Sequence, residues 1–381
     1  MRICRLALKP LRLAHPAPNC FSSARRFLFL QYEAALGASV LSSPVFEILK
    51  NAIPDAYVAA ACSGVSHQVL KHNRYIDTIY ETPHPISEFS AALEYFATTL
   101  RKKKTSFEFV ICNAGNSRTK IALLALLSGI HWRIGFETSV QLFHRFLKYD
   151  SKKAVLTNNL RILEPFGITC ETREPRIFYT THELALVRTF LCESGVSPTY
   201  PIVAVATQSG GGEPNEWFFE RFVALGRALI MRHKAQLIFT GVRRDRALVE
   251  RIRTSIGSKT FSAAGDTDVP QLAALFSQCD LLVTIDTGAF HVARSVRLPS
   301  VVIGNASRPH YEWLPNDNPL FVILRREDVP CALCRTFHCA TRECMQNIHV
   351  EDVLTCASAQ LTVYPPSMAH RAERTAECLV R

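Results

Sequence analysis

Short, uninterrupted apolar runs recur along this chain, each followed by a stretch with helical spacing of its apolar residues. FLFLQY (27–32), AYVAAAC (56–62) and FEFVICN (107–113) alternate with the helical segments 39–53, 86–101 and RTKIALLALLSGI (118–130). HWRIGFE (131–137) closes this first series. Strands that are apolar on both faces must be covered on both faces, and crossover helices force them to run parallel. After a mixed, charged and weakly periodic middle (138–199), the alternation restarts. YPIVAVAT (200–207), AQLIFTG (235–241) and LLVTI (281–285) are the second set of strands. Segments 215–233, 244–256 and 269–279 are their helices. Two such series predict an α/β protein of two doubly wound, Rossmann-like domains facing a cleft, with ligands at the carboxyl ends of the strands.

A length of 381 residues is also too great for one ordinary core. The expected divisions are a basic, disordered extension over 1–26, a first domain over 27–175, a linker helix region over 176–199, a second domain over 200–350, and a C-terminal helix and tail over 351–381. The extension contains no acid and six Arg or Lys, a composition shared with transit peptides. The reading adopted is a plain basic leader, because the first clear strand begins at Phe27.

The net charge of +11 favours anionic partners, either phosphorylated substrates or an anionic membrane face. The basic residues are scattered, with RKKKT (101–105) the one dense run, so nucleic acid is not expected. The longest apolar runs, such as IALLALLSGI (121–130), fall short of the ~20 residues a membrane span needs. Of thirteen cysteines, Cys62, Cys112 and Cys279 stand singly in apolar stretches and read as reduced, buried thiols. Cys331, Cys334, Cys339 and Cys344 cluster with spacings of two, four and four residues. They are a candidate structural zinc site, the alternative being a compact thiol-rich loop.

The stretch LLVTIDTGAFHVARSVRLPSVVIG (281–304) carries the most chemistry. It places Asp286 at the end of a strand and at the N-cap of the next helix. Gly288 lets the backbone approach a ligand, and the helix N-terminus favours phosphate. His291 follows one turn later. The plain alternative is a capping Asp and an interior His.

The residues 286–304 resemble the D-T-G-x-x-H-x-A…P-x-V signature of the ADP-heptose:lipopolysaccharide heptosyltransferases, glycosyltransferase family 9. Other segments fall in the same order as the family's elements: 35–56, RYIDTIY (74–80), 117–136, NEWFFERFVALGRAL (215–229), FTGVRRD (239–245), HYEWLPND (310–317) and 331–354. The resemblance covers about residues 27–354. It implies a GT-B fold and an inverting transfer of heptose from ADP-heptose to the lipid A–core oligosaccharide or a related envelope glycan. No cofactor or metal is then required. The enzyme would be cytoplasmic, in peripheral contact with the anionic inner face of the inner membrane.

The resemblance also implies roles. Thr287, Gly288 and His291 line the diphosphate, with Thr207 and Gln208 beside it and Asp286 beside the donor sugar. Asp245 holds the ribose, Thr267 and Val269 flank the adenine, and Arg118 lies on the acceptor side. Two positions depart from the family. Ala38 stands where the family has its catalytic Asp, leaving Glu33 as a substitute base. Asn215 stands where the family has a Lys facing the diphosphate. These departures leave a second reading open, a catalytically impaired paralogue that binds a sugar nucleotide or lipopolysaccharide. A nicotinamide dehydrogenase is disfavoured, since QSGGGEP (208–214) lacks the G-x-G-x-x-G spacing.

Overall fold

The computed structural model of the protein describes residues 21, 23–113, 119–139, 142–170, 172–208, 215–315, 318–336 and 338–365. The chain divides into two compact units, Met1–Pro175 and Arg176–Arg381.

In the first unit six strands form one sheet: β1 (Arg26–Gln31), β2 (Tyr57–Cys62), β3 (Thr78–Glu81), β4 (Phe109–Cys112), β5 (Trp132–Phe136) and β6 (Arg145–Leu147). The order is β3-β2-β1-β4-β5-β6, and every pair is parallel. Helices α1 (Leu36–Ser42), α2 (Pro44–Ala52), α3 (Gly64–Leu70), α4 (Phe89–Tyr95), α5 (Thr119–Leu127) and α6 (Val155–Leu160) connect or cover it. The two-residue period of β1 sends Leu28 and Leu30 to one face, into a cluster with Phe96, Leu100 and Leu124. Phe27 and Phe29 point the other way, against Phe166 and Phe46 at 5.1 and 5.0 Å between ring centres.

Several details differ from the sequence reading. The helix expected over 39–53 is two helices meeting at Ser43, with Pro44 at the first position of α2, where its missing N–H costs nothing. The helix expected over 86–101 runs as α4 and then widens into a π turn, Phe96–Leu100, before tightening into a 3-10 turn, Arg101–Ser106. RKKKT lies on that last turn. β6 lies within the weakly periodic middle, where no strand was expected; three residues are too few to show a period. The first unit also begins before residue 27. Phe21 and Ala24, assigned to the extension, are buried, and the Phe21 ring lies 4.8 Å from Phe109 and 5.1 Å from Trp132. An aromatic side chain with such neighbours is core.

The second unit repeats the architecture. Its strands are β7 (Ile202–Ala206), β8 (Gln236–Thr240), β9 (Thr260–Ser262), β10 (Leu281–Ile285), β11 (Ser300–Ile303) and β12 (Phe321–Leu324), all parallel, in the order β12-β11-β10-β7-β8-β9. Its helices are α7 (Thr181–Glu193), α8 (Phe219–His233), α9 (Arg246–Ile256), α10 (Val269–Ser277), α11 (Gly288–Ser295) and α12 (Val350–Val363). The helix α7, within the expected linker, belongs to this unit. It opens with a capping box in which Glu183 accepts from the Thr180 N–H at 2.8 Å, and it packs on α10. Likewise α12 packs on α8 and buries Val353, Leu354 and Ala357 in the unit's main core. No helix among the described residues is long and apolar enough to cross a membrane.

Both sheets share one strand order, with the reversal between the first and fourth strands of each. In such sheets the loops at the carboxyl ends splay apart at the reversal and leave a crevice. In the first unit the reversal lies between β1 and β4, in the second between β7 and β10.

Candidate functional site

Thr207 and Asp286 follow β7 and β10, so they flank the reversal of the second sheet. Asp286 is half-buried, and withdrawal from water pushes its carboxyl up to about 6 although Arg325 and Arg308 pull it down. The expected capping role falls elsewhere. Thr287, not Asp286, is the N-cap of α11, with extended backbone and no side-chain cap bond. Asp286 is the residue before the cap, at the strand mouth.

His291 is 2% exposed, and burial lowers it to about 3, helped by Arg294. It is therefore a neutral imidazole at any working pH. Its Nδ1 has no hydrogen-bond partner among the described residues. The same holds for Thr207 Oγ1, Thr240 Oγ1 at the end of β8, and Arg325 Nε just after β12. A buried polar atom left unpaired costs about 1–3 kcal/mol. Four of them at or just beyond the carboxyl edge of one sheet mark the place where a polar ligand would fit.

The remaining expected residues spread along this edge. Gln208 follows Thr207 and donates to its carbonyl at 3.2 Å. Asn215 accepts from the Asn305 amide, and Asn305 in turn accepts from Ser307 N–H and Oγ–H at 2.9 and 2.6 Å. Asp245 turns back to cap its own turn, accepting the Val242 N–H at 2.8 Å. Gly265 makes this turn possible, having φ +78° and an N–H bonded to Gly241 O at 2.8 Å. Thr267 precedes Asp268, the N-cap of α10, which receives Gln271 N–H at 2.9 Å; Val269 is the first helical residue.

In the first unit Glu33 lies just past β1, buried, with its backbone N–H donating to Ser66 Oγ at 2.9 Å. Ala38 is half-buried on α1. Arg118 lies outside the described residues.

The model of glycosyltransferase family 9 (heptosyltransferase) matches residues 95–342, more than half of the chain. The chain belongs to this family. It is 22% identical over 294 residues to lipopolysaccharide heptosyltransferase 3 of Escherichia coli, across 74% of this chain and 84% of that protein. It superimposes on the family 9 glycosyltransferase of Veillonella parvula with a TM-score of 0.78 at 18% identity, over 91% of this chain and 100% of that one. It also superimposes on E. coli ADP-heptose lipopolysaccharide heptosyltransferase II with a TM-score of 0.72 at 16% identity, over 89% and 99%. These likenesses bear out the GT-B fold class. Glu33 and Ala38 fall outside the residues that the family model matches.

The cysteine cluster lies in the loop that follows β12. Cys331, Cys339 and Cys344 are half-buried and Cys334 is exposed, all as free thiols. Among the described residues no group of three or more His, Cys, Asp or Glu is placed to hold a metal ion. Instead the loop braces the site edge. Leu333 and Arg335 donate their N–H groups to Ala306 and Ser307 carbonyls at 2.7 and 2.9 Å. Cys339 accepts the Arg342 N–H at 3.2 Å, which holds its thiol below the ordinary value. By contrast Cys62, Cys112 and Cys279 are buried, and burial pushes Cys62 up to about 12.

Sequence reasoning missed Thr240, Asn305, Arg308 and Arg325. The available signal was positional: a polar residue ending or following each apolar strand of the second series, as Arg325 follows FVIL.

Proposed function

We propose that this family 9 glycosyltransferase transfers heptose from ADP-heptose to the lipopolysaccharide inner core or a related envelope glycan, with inversion at the anomeric carbon. The observation that carries the reading is the set of unpaired buried polar atoms that end or follow strands of the second sheet, together with the names of the relatives, which are lipopolysaccharide heptosyltransferases. The acceptor hydroxyl oxygen attacks the anomeric carbon as the bond from that carbon to the phosphate oxygen breaks. The electron pair leaves with ADP, and the hydroxyl proton passes to a carboxylate, which we assign to Glu33. His291, neutral, donates or accepts a single hydrogen bond to the donor and carries no charge. Thr207 and the N–H groups at the start of α11 face the phosphates.

The protein would work at the cytoplasmic face of the inner membrane, its positive charge held to anionic lipid. Charge on the leaving diphosphate would be met by helix N–H groups and basic side chains, because the D-x-D of the sequence, Asp266–Asp268, is engaged elsewhere: Asp266 pairs with Arg246 at 2.6 Å and Asp268 caps α10. Activity should therefore persist in excess EDTA; loss of activity restored by magnesium would contradict this. A second reading, a binder without turnover, is favoured by Ala38. Losing a general base costs about 10²–10⁴-fold in rate. Calorimetric titration with ADP-heptose, ADP and NAD, followed by a turnover assay on lipid A–core acceptor, separates the cases. ADP-heptose binding with turnover supports the enzyme, and binding alone supports the binder. NAD binding without ADP-heptose binding overturns both.

A further inference from the structure

We propose that Arg325 is the cation that receives the donor's diphosphate in this chain, supplying from the end of β12 the charge that Asn215 cannot. The inference rests on the donor-site reading above.

The side chain of Arg325 is 8% exposed, so its guanidinium is held in place and partly stripped of water. Gly304, at the end of the adjacent strand β11, makes room for it. A Cβ there would come within 3.0 Å of Arg325 Cγ and 3.3 Å of Cδ, so the stem lies directly across that glycine. One end of the fork is fixed: Nη2 donates to Arg308 O at 2.5 Å and lies 3.3 Å from Glu327, a half-exposed carboxylate. The Nε–H has no partner among the described residues. A guanidinium anchored at one nitrogen, with a buried donor left over, is preorganised for an oxyanion.

Its neighbourhood links it to the missing lysine. Asn305 follows Gly304 and donates to the Asn215 side chain. The place from which a lysine would reach the phosphates is thus held by an amide pair, and the positive charge comes from the strand beside it. Arg325 and Asp286 also feel each other's charge, which puts the guanidinium within electrostatic reach of the strand mouth where the donor sugar is assigned. As the anomeric bond breaks and its electron pair moves onto ADP, a cation there stabilises the charge that develops.

The test is calorimetric titration of the full chain with ADP, AMP and adenosine, for wild type, Arg325→Gln and Arg325→Lys. Adenosine has no phosphate, so it reports on the site without the proposed contact. We expect Arg325→Gln to weaken ADP at least tenfold and leave adenosine unchanged, with Arg325→Lys between. Adding Asn215→Lys to Arg325→Gln should restore ADP affinity. Gly304→Ala, which pushes the stem aside without removing the charge, should give the same selective loss if Arg325→Gln folds poorly. Equal ADP affinity in wild type, Arg325→Gln and Gly304→Ala overturns the role of Arg325 alone. Parallel loss of ADP and adenosine makes Arg325 a structural residue and also overturns it. A wild type that binds neither nucleotide nor nucleoside fails earlier, at the donor-site reading itself.

Discussion

Asp286 is held in a state that costs the fold something. Its carboxyl is raised from its unfolded value to about 6, so between those two values the native state holds a proton that the unfolded state has lost. Stability contributed at this site therefore falls as pH rises through that window, and the penalty is complete above it. Asp286→Asn removes the penalty. The substitution should raise Tm at pH 8 relative to wild type more than it does at pH 4, while ADP-heptose turnover falls. Thermal melts at the two pH values read the first effect, and equal shifts at both would show that the carboxylate is not desolvated. For His291 the sign reverses: its proton affinity is lowered to about 3, so its contribution is present above its unfolded value and lost as pH falls towards 3. His291→Gln should flatten acid unfolding between pH 6 and pH 4 and weaken donor use, with no new inflection near neutrality in the rate profile. Asp286 and His291 read as a pair through the resemblance of 286–304 and its neighbours to the family's ordered elements; alone, a D-T-G at the mouth of an apolar strand reads equally as a capping Asp with an interior His. That the cap is Thr287, and that His291 is too buried to ionise, depends on distances no spacing rule supplies.

At the scale of elements, turns rather than strands place the functional groups. Gly265 brings the turn after β9 against the turn that holds Asp245: a Cβ on Gly265 would stand 2.8 Å from the Arg243 Cα. Backbone cannot yield as a side-chain tip does, and φ +78° adds its own strain, so Gly265→Ala should cost about 1–3 kcal/mol. A denaturant midpoint measures the cost. Calorimetry should show weaker ADP binding in the same variant, because the Asp245 turn shifts with it. Unchanged affinity at lowered stability would separate Asp245 from the ribose. The inner strands were plain in the sequence because burial on both faces leaves continuous apolar runs, whereas the short edge strands β3, β6, β9 and β12 were not. The turns were not, because Arg325 and Asn305 gain meaning only when the strand order places β11 beside β10 and β12 beside β11. Phe21 shows the same limit: its neighbours Phe109, Trp132 and Phe166 are distant in sequence. Phe21→Ala should cost about 3–5 kcal/mol if the first unit starts where its packing indicates. A change within experimental error in the unfolding midpoint would return residue 21 to the extension.

At the scale of the whole molecule, two units share one strand order, and the departures from the family do not fall evenly between them. In the second unit Asp286, Thr287, Gly288 and His291 are all kept, and the lost lysine has a cation on a neighbouring strand to replace it. In the first unit Ala38 has no charge, and the one acid at the end of β1 is Glu33. Binding and turnover should therefore come apart on mutation. Glu33→Gln should abolish heptosyl transfer and leave ADP affinity at the wild-type value, because every residue proposed to hold the donor belongs to the other unit. If Glu33 has taken over as base, Ala38→Asp changes little. If nothing has, the wild type is nearly inert and Ala38→Asp should raise transfer by about 10²-fold, the low end of what a general base supplies. The decisive readout is single-turnover transfer to lipid A–core with donor affinity measured in parallel. A protein in which neither Glu33→Gln nor Ala38→Asp alters transfer, while wild type turns over, takes its base from elsewhere and sinks the assignment of Glu33. One in which wild type and Ala38→Asp both bind ADP-heptose and neither transfers it is the binding protein.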